Sequence, residues 1–464
     1  MMKASLRDWQ RRCIKTALEH YVTTPHFFCQ ATPGAGKTWM AAELASCLLQ
    51  QGEIDLVLCF APSCQVVDGF RSTFSRVLGK RLDGLIGAIG DACTYQAMEY
   101  QAEAFWALLD DYRVLAVFDE IHHCAGHDPL LSNAWGQQII QKIQDRAAFT
   151  LALSGTPWRS DDKGIALARY SAPEGRLICD YRYGLEEAIA DNVCRSPRIV
   201  LLDNHAVKLT EELENDSAVR LFPSIDQLLS ESPVSYEELL RHPDMINQML
   251  ALGIAKLDEL RAIKPDAAGL VVATDVEHAH QVALALEAKG ESCRIVTNRD
   301  ARAQHLINEF RGGKSRWIVA VGMISEGTDI PRLQVCCYLS RIRTELHYRQ
   351  VLGRVLRRTG TCDDEAWLFV LAESTLEGFS RRVADDLPED LALLSRVHTT
   401  ATVAGEATGE TVVSFHLSNL QNNGAEHPVR MSAAPDMSLD SSDSTSTYQV
   451  SFSQRYHHQL LALF

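Results

Sequence analysis

The sequence lacks the marks of a membrane-spanning or disulfide-stabilised protein. No apolar run reaches the roughly 18 residues that a membrane-spanning helix needs. The 13 cysteines are scattered without a Cys-x-x-Cys pair, so they indicate neither a zinc ribbon nor a disulfide framework. The first residues also lack the apolar core of a secretory leader. We therefore expect reduced, mostly buried thiols in a cytoplasmic protein without a membrane segment.

Basic residues are also scarce, since 60 Asp and Glu outnumber 45 Lys and Arg to give a net charge of −15. Such a balance is unusual for a protein that binds nucleic acid. The charges are unevenly spread, because residues 201–245 hold ten acids and three bases, whereas residues 341–358 hold six arginines and one glutamate. The acidic total therefore does not exclude a local basic surface for phosphates.

What the sequence does contain is a glycine-rich loop, Ala31-Thr32-Pro33-Gly34-Ala35-Gly36-Lys37-Thr38, between an apolar run and an Ala/Leu-rich segment. Strand, loop and helix in this order are the context of a phosphate-binding loop. In such a loop, main-chain N–H groups bind phosphate, the lysine reaches the β- and γ-phosphates, and the next hydroxyl holds Mg²⁺. The full pattern has glycine where this chain has Ala31, so a glycine turn that caps a helix is the alternative. The expected ATP-binding residues are Thr32, Pro33, Gly34, Ala35, Gly36, Lys37 and Thr38, with Lys37 also catalytic.

A second element supports the nucleotide site. The continuously apolar run 114–118 predicts a buried strand of a parallel sheet, and it ends in Asp119-Glu120-Ile121-His122. Acids at the carboxyl edge of such a sheet lie where open α/β folds bind ligands. Asp119 is expected to complete the Mg²⁺ shell with Thr38, and Glu120 to polarise the attacking water. A strand that ends in solvated acids is common, but this pair together with the loop predicts an ATPase.

Apolar runs and amphipathic segments alternate along the chain, which predicts a doubly wound, largely parallel sheet. The predicted strands are 26–29, 56–60, 88–92, 114–118, 148–153, 269–273, 317–321 and 336–339. The predicted helices are 9–20, 39–49, 245–263, 277–288 and 347–357.

The motifs from Leu6 to Arg357, taken in order, resemble those of superfamily 2 helicases and translocases. The resemblance is to the branch that contains the motor parts of type I and type III restriction enzymes, and it covers about three quarters of the chain. The motifs are the adenine motif Leu6-Arg7-x-x-Gln10, the first motif at residues 31–38, the second motif Asp119-Glu120-Ile121-His122, the third motif Ser154-Gly155-Thr156-Pro157, the fifth motif at residues 325–331 and the sixth motif at residues 347–357.

This resemblance implies an α/β fold of two tandem RecA-like parallel-sheet domains with a small C-terminal appendage. We assign residues 1–198 to the first, ATP-binding domain, 199–245 to an acidic linker or insertion, 246–385 to the second domain and 386–464 to the appendage. The appendage is expected to combine a flexible linker, a strand at 411–417 and an apolar terminal segment. That segment either folds back on its own core or docks to a partner.

The resemblance also assigns roles to individual residues. The nucleotide-site residues are Gln10, which would read adenine, Gly327 and Asp329. The residues that would couple hydrolysis to movement are His122, Ser154 and Thr156, with Gln350 as the expected partner of His122. The expected nucleic-acid contacts are Ser63, Thr94 and Thr328, although a hydroxyl at a strand end is as often structural.

The sixth motif is rich in arginine. Arg354 and Arg357 are three residues apart, so on a helix both would lie on one face. Two guanidinium groups on one face suit a γ-phosphate held by the other domain, and we expect Gln350, Arg354 and Arg357 to be catalytic. A basic helix that lines a surface or binds phosphate backbone is the alternative.

The sequence thus predicts an ATP-dependent DNA translocase or helicase that uses ATP and Mg²⁺ and binds the DNA backbone without sequence preference. Bacterial DNA repair or defence against foreign DNA is the expected setting. No nuclease constellation or zinc finger is evident, so any cleavage is assigned to a partner nuclease. An RNA helicase, and a nucleic-acid-triggered ATPase switch that signals to a partner without unwinding, stay open as alternatives.

Overall fold

The computed structural model describes residues 6–126, 132–156, 163–173, 175, 177–213, 216–322, 329–358, 360, 363–385, 429–431, 447–453 and 456–462. These residues form two compact units. The first unit comprises the described parts of residues 1–195, Asp329 and residues 344–358. The second comprises residues 196–322, 330–343 and the described parts of 359–462. Within the described ranges, no helix is long and apolar enough to cross a membrane.

The strands of the described residues are β1 (His26–Ala31), β2 (Leu56–Ala61), β3 (Gly90–Thr94), β4 (Val114–Asp119), β5 (Phe149–Ser154), β6 (Arg169–Tyr170), β7 (Leu177–Ile178), β8 (Tyr181–Tyr183), β9 (Ser196–Asn204), β10 (Val207–Leu213), β11 (Asp216–Phe222), β12 (Ala268–Val272), β13 (Cys293–Thr297), β14 (Trp317–Val321), β15 (Leu333–Tyr338), β16 (Glu365–Leu371), β17 (Val429–Met431), β18 (Thr447–Phe452) and β19 (Tyr456–Ala462).

The helices of the described residues are α1 (Asp8–His20), α2 (Lys37–Gln51), α3 (Cys64–Leu78), α4 (Tyr95–Met98), α5 (Glu103–Asp111), α6 (Ala134–Gln138), α7 (Leu185–Ala190), α8 (Ile225–Glu231), α9 (Tyr236–Arg241), α10 (Pro243–Ile263), α11 (Val276–Ala288), α12 (Ala303–Gly312), α13 (Glu345–Val355) and α14 (Ser374–Asp385). A 3₁₀ turn, Ile121–His123, follows β4, and a π turn, Ile139–Ile143, follows α6.

The first unit is built on a parallel sheet, whose described strands run in the order β3-β2-β4-β5-β1-β8. Strand β4 is buried along its whole length, as expected for a strand of a parallel sheet covered on both faces. Because the strands are parallel, the carboxyl ends of β1, β2, β4 and β5 lie at one edge of the sheet. That edge carries the phosphate loop and the two acids of the second motif.

Glycines set both ends of α2. Gly36 precedes its first residue with a φ of 91°, and Gly52 follows its last residue with a φ of 70°. A side chain is disfavoured at such left-handed backbone angles. The helix therefore begins at Lys37, within the loop and two residues earlier than the sequence predicts, and its N-terminal N–H groups lie at the carboxyl edge of the sheet.

The second unit contains a sheet in the order β13-β14-β12-β15-β16-β9-β19 over the described residues. All neighbouring pairs are parallel except β9 and β19, which are antiparallel. A second sheet of this unit is antiparallel and has the order β11-β10-β18-β17. The prediction of an α/β fold with two RecA-like parallel-sheet domains is confirmed.

The acidic stretch 199–245, predicted to be a linker or insertion, forms regular structure in the second unit. Strand β9 pairs with β16 from Ser196 to Leu202, and β10 and β11 pair as a hairpin. The two apolar residues Val207 and Leu209 of β10 are fully buried, and the exposed Lys208 lies between them. The acidic composition obscured this alternation, which is the pattern of a half-buried strand.

The described part of the apolar C-terminal segment folds back on the second unit. Strand β18 pairs with β10, and β19 pairs with β9 from Asn204 to Arg198. Of the two alternatives for this segment, the described arrangement is the folded-back one. The predicted flexible linker and a strand expected at 411–417 lie outside the described residues.

Asn204 connects the β9–β10 turn to the turn that follows β18. Its side chain is fully buried. The amide Nδ2 donates to Ser453 O at 2.8 Å, and Oδ1 accepts from Ser453 Oγ at 2.9 Å and from Ala206 N at 3.0 Å. We expect Asn204→Ala to lower the free energy of unfolding of the second unit by about 2–3 kcal/mol, because buried polar partners would lose their hydrogen bonds. Urea denaturation of the full chain measures this.

Asn308 supplies the matched control for that substitution. It is an exposed asparagine of α12 in the same unit, so Asn308→Ala is expected to change the free energy of unfolding by less than about 0.5 kcal/mol. Equal effects of the two substitutions would contradict a bridging role for Asn204.

Candidate active site

The phosphate loop follows β1 directly and has two residues with left-handed backbone, Gly34 at φ 82° and Gly36 at φ 91°. A Cβ atom at Gly36 would lie 2.9 Å from Gln10 Nε2, and one at Gly34 would lie 3.2 Å from Arg357 Cγ. Both the backbone angle and the close neighbours therefore require glycine. Thr32 is buried, and its N–H donates to Tyr183 O of β8 at 3.1 Å.

Gln10 and Arg7 hold the loop from the start of α1. Gln10 is 4% exposed; its Oε1 accepts from Arg7 N at 2.8 Å, and its Nε2 donates to Gly36 O at 3.0 Å. The Arg7 guanidinium donates to Ala35 O at 2.8 Å. The sequence analysis missed the role of Arg7, although the residue lies within the adenine motif Leu6-Arg7-x-x-Gln10. The adenine contact of Gln10 stays a prediction.

Lys37 is the first residue of α2, and its ammonium group lies among oxygen atoms. Nζ donates to Ala31 O at 3.1 Å and lies 3.5 Å from Glu120 Oε1. Pro33 and Lys37 both border the third motif, since a Cβ at Gly155 would lie 3.2 Å from Pro33 Cδ and 3.3 Å from Lys37 Nζ. The loop, the second motif and the third motif therefore meet at one point.

Glu120 is the centre of that cluster. It has left-handed backbone with a φ of 49°, an unusual angle for a residue other than glycine, and such angles concentrate at functional sites. Its Oε2 accepts from Gly155 N at 3.2 Å and lies 3.4 Å from both Ser154 Oγ and His122 Nδ1. Burial acts to raise the pKa of Glu120, but the charge of Lys37, with His122 and Gly155 N–H, lowers it below its usual value.

Ser154 links the second and third motifs. Its Oγ lies 2.9 Å from His122 Nδ1 and accepts from Thr156 N at 3.1 Å. All three of these residues are buried, with Ser154 fully so. The three residues expected to couple hydrolysis to movement thus contact one another directly, whereas the expected contact between His122 and Gln350 stays a prediction.

Asp119 ends β4 and is 8% exposed. The hydroxyl of the fully buried Tyr95 donates to Asp119 O at 2.7 Å and so holds the end of this strand. The sequence analysis did not assign this role to Tyr95, although it lies beside Thr94. Thr38 lies in the first turn of α2, so both expected Mg²⁺ ligands follow strands that end at the same sheet edge.

The sixth motif lies partly on α13, which is part of the first compact unit. A Cβ at Gly353 would lie 2.9 Å from Pro33 Cγ. Gln350 and Arg354 are half-buried on this helix. Arg357 forms an ion pair with Asp329 of the fifth motif.

The prediction of a helix through Arg357 is wrong at its end. Helix α13 ends at Val355, and Arg357 forms an isolated antiparallel bridge with Cys194. Arg354 and Arg357 therefore do not share a helical face, and Arg357 lies beside Gly34 from non-helical backbone. At this end of the helix, Arg195 donates hydrogen bonds to Val355 O and Leu356 O.

The expected nucleic-acid residues that the structure describes have capping roles. Ser63 Oγ accepts from Val66 N at 3.5 Å at the start of α3, and Thr94 Oγ1 accepts from Ala97 N at 3.2 Å at the start of α4. Both follow neighbouring strands, since Thr94 is paired with Ala61. Thr328 and Gly327 lie outside the described residues.

Comparison with known proteins gives the family. The profile of the family "Type III restriction enzyme, res subunit" matches residues 3–159, and that of "Helicase conserved C-terminal domain" matches residues 254–359. The solved structure of a fragment assigned as the HsdR subunit of a type I restriction enzyme from Vibrio vulnificus superposes with a TM-score of 0.58 at 15% identity. It covers 82% of this chain and 67% of that one, and shows the same fold.

Two sequence relatives add to these findings. An uncharacterized protein of Mycobacterium tuberculosis is 30% identical over 374 residues, which are 76% of this chain and 59% of that protein. This chain thus spans less than two thirds of that relative's length. The DNA 3'-5' translocase XPB2 of Sulfurisphaera tokodaii is 24% identical over 395 residues, which are 79% of this chain and 81% of that protein.

The two matching family models define the class of the chain, which carries a res-subunit domain and a helicase C-terminal domain. These two domains are of the superfamily 2 helicase type, and the first matches the res subunits of the restriction enzymes.

Gly36 offers a test of the loop geometry. We expect Gly36→Ala to weaken ATP binding by on the order of tenfold, or about 1.4 kcal/mol, because the new methyl group would displace Gln10 and the loop. Isothermal titration with a non-hydrolysable ATP analogue measures this.

Gly52→Ala, at the other end of α2, is the control for this test. It also places a side chain at a left-handed angle, which costs roughly 1–2 kcal/mol, but no atom lies within 4 Å of the added Cβ. ATP affinity is expected to stay at the wild-type value, and an equal loss in both variants would refute a local effect at the loop.

Proposed function

We propose that the protein is an ATP-dependent DNA translocase or helicase that couples hydrolysis at the phosphate loop to movement along DNA or to its unwinding. The observation that carries this proposal is the cluster around Glu120, in which one carboxylate contacts Lys37 of the loop, His122 of the second motif and Gly155 of the third. A change at the phosphates would alter all of these contacts at once.

ATP fits the residues of this cluster. Lys37 and the N–H groups at the start of α2 would bind the phosphates, with Thr32, Pro33 and Ala35 completing the loop. Glu120 would orient water for attack on the γ-phosphate. Arg357, beside Gly34, and Arg354 would stabilise the charge that develops on the phosphate oxygens.

The residues also fit Mg²⁺, since the Thr38 hydroxyl and the Asp119 carboxylate are the hard oxygen donors that this ion prefers. The position of Asp119 is well defined because Tyr95 holds the main chain there. When bound, the ion would neutralise charge on the β- and γ-phosphates. We infer that Thr38 and Asp119 are its protein ligands.

DNA is the proposed track because of the similarity to the DNA translocase XPB2 and to the res subunit family. Ser63 and Thr94 follow neighbouring strands of one sheet, so both could contact one phosphate backbone at the starts of α3 and α4. Backbone contacts of this kind carry no sequence information and weaken steeply with salt. Thr328 of the fifth motif is proposed as a further contact.

The proposed setting is bacterial DNA repair or defence against foreign DNA, with a separate nuclease as partner. The family likeness to restriction-enzyme subunits supports this setting. Among the described residues, no group of three or more His, Cys, Asp and Glu side chains could hold a metal ion, and no nuclease constellation is evident in the sequence. Cleavage is therefore assigned to the partner.

The first test is ATP turnover with no nucleic acid, single-stranded DNA, duplex DNA or RNA. We expect DNA to stimulate turnover severalfold, and Glu120→Gln to abolish it, because the amide cannot act as a base for the attacking water. Stimulation should fall as salt is raised.

The arms of this experiment separate the alternatives. Stimulation by RNA alone would favour an RNA helicase. Turnover that no polymer changes would overturn the translocase proposal. Displacement of a third strand from a DNA triplex then measures movement itself, and DNA-stimulated turnover without displacement would favour the switch.

Ser154 provides a test of coupling. We expect Ser154→Ala to reduce the stimulation by DNA by about fivefold or more, a typical size for coupling between sites. Basal turnover should stay within about twofold, because Lys37, Glu120 and the loop keep their other contacts. Turnover assays with and without duplex DNA measure both quantities.

Ser380→Ala is the matched control for this substitution. Ser380 is also fully buried, and its Oγ donates to Leu376 O on α14 of the second unit. A comparable loss of stimulation in this variant would show that a buried serine anywhere has the same effect, and would rule out a coupling role for Ser154.

A further inference from the structure

Arg195 is a fully buried arginine at the end of α13. Its Nη1 donates to Val355 O at 2.6 Å, and its main-chain N–H donates to Leu356 O at 2.8 Å. Burying a guanidinium group requires hydrogen-bond partners, and the last carbonyls of a helix are favourable ones because they carry the negative end of the helix dipole. Arg195 thus satisfies carbonyls that would otherwise continue or fray the helix.

The residues around Arg195 form a short strap, residues 192–195, along the chain that follows α13. Asn192 Oδ1 accepts from Arg358 Nη1 at 2.8 Å, and Cys194 forms the antiparallel bridge with Arg357. The start of the strap is fixed by α7, because the N–H groups of residues 193 and 194 donate to Ala188 O at 2.8 and 3.0 Å. Residues 355–358 therefore lie antiparallel to the strap and are hydrogen-bonded to it.

The strap also contacts the phosphate loop. The Cys194 thiol donates to Pro33 O at 3.6 Å. Helix α7, which precedes the strap, comes directly after β8, whose Tyr183 O accepts from Thr32 N at 3.1 Å. Residues 183–195 are thus bonded to the phosphate loop through Tyr183 and Cys194, and the strap at their end is also bonded to residues 355–358. The position of Arg357 beside Gly34 depends on both attachments.

We propose that Arg195 is a positioning residue for ATP hydrolysis, which ends α13 at Val355 and so directs Arg357 to the phosphate loop. The proposal rests on the proposed role of Arg357 at the phosphates. Arg195 acts through the main chain of residues 355–357, since the carbonyls of Val355 and Leu356 accept its hydrogen bonds. Substrate binding by the loop does not depend on it, whereas the rate of the chemical step does.

The test uses Arg195→Gln in the full chain, with Arg332→Gln as the matched control. Arg332 is also a buried arginine whose guanidinium donates to main-chain carbonyls, among them Asp266 O at 2.9 Å, but it lies in the second unit. We measure kcat for ATP per folded molecule, the folded fraction by circular dichroism, and the Kd of a fluorescent non-hydrolysable ATP analogue. Arg195→Lys retains the charge with a different geometry and tests for rescue.

We expect Arg195→Gln to lower basal kcat by about 10- to 100-fold, the size of effect that small displacements of catalytic groups produce. Its Kd for the analogue should stay within about threefold of wild type, and Arg195→Lys should recover part of kcat. Arg332→Gln should lose thermal stability but keep the wild-type kcat per folded molecule.

Three results would overturn the proposal. They are an unchanged kcat per folded molecule in Arg195→Gln, a Kd that worsens in proportion to kcat, and an equal loss of kcat in Arg332→Gln. All of these measurements are made without nucleic acid. An absence of stimulation by DNA in the wild-type chain would refute the DNA track separately, without altering the comparison between Arg195 and Arg332.

Discussion

The carboxylate of Glu120 must carry its charge in a partly buried position, and the groups around it make this possible. Burial opposes ionisation, while Lys37, His122 and the N–H of Gly155 favour it. Each of these partners belongs to a different motif, so none of the three segments can move without affecting the charge balance at Glu120. The left-handed backbone of Glu120 indicates that the surrounding structure holds the residue at this point despite a local cost.

Arg195 imposes a comparable constraint at the end of α13. A helix ends where its last carbonyls find other donors, and here the donors come from a segment that follows α7. The termination of the helix turns the chain so that Arg357 lies beside Gly34. The end of α13 therefore also determines which arginine lies at the phosphate loop in the first unit.

In the second unit, the arrangement likewise depends on contacts between segments that are far apart in the sequence, here paired strands. Strand β9 pairs with β19, and β10 pairs with β18. The side chains of Asn204 and Ser453 are hydrogen-bonded to each other, although some 250 residues separate them in the sequence. An edge strand exposes unpaired main-chain groups, and β19 covers that edge of β9. The acidic composition of residues 199–245 concealed strand β10, whose buried residues Val207 and Leu209 are apolar.

Local patterns in the sequence were enough to identify the elements that depend on neighbouring residues alone. Continuous apolar runs predicted the buried parallel strands, and the spacing of Gly34, Gly36 and Lys37 predicted the loop and the helix after it. The partners of Gln10 and Glu120 could not be read in this way, because they depend on which segments meet at the sheet edge. Only the tertiary structure decided where α13 ends, since Arg195 and Val355 are 160 residues apart. A helical pattern continues through Arg357, and the hydrogen bonds that stop it come from a part of the chain that no local signal connects to it.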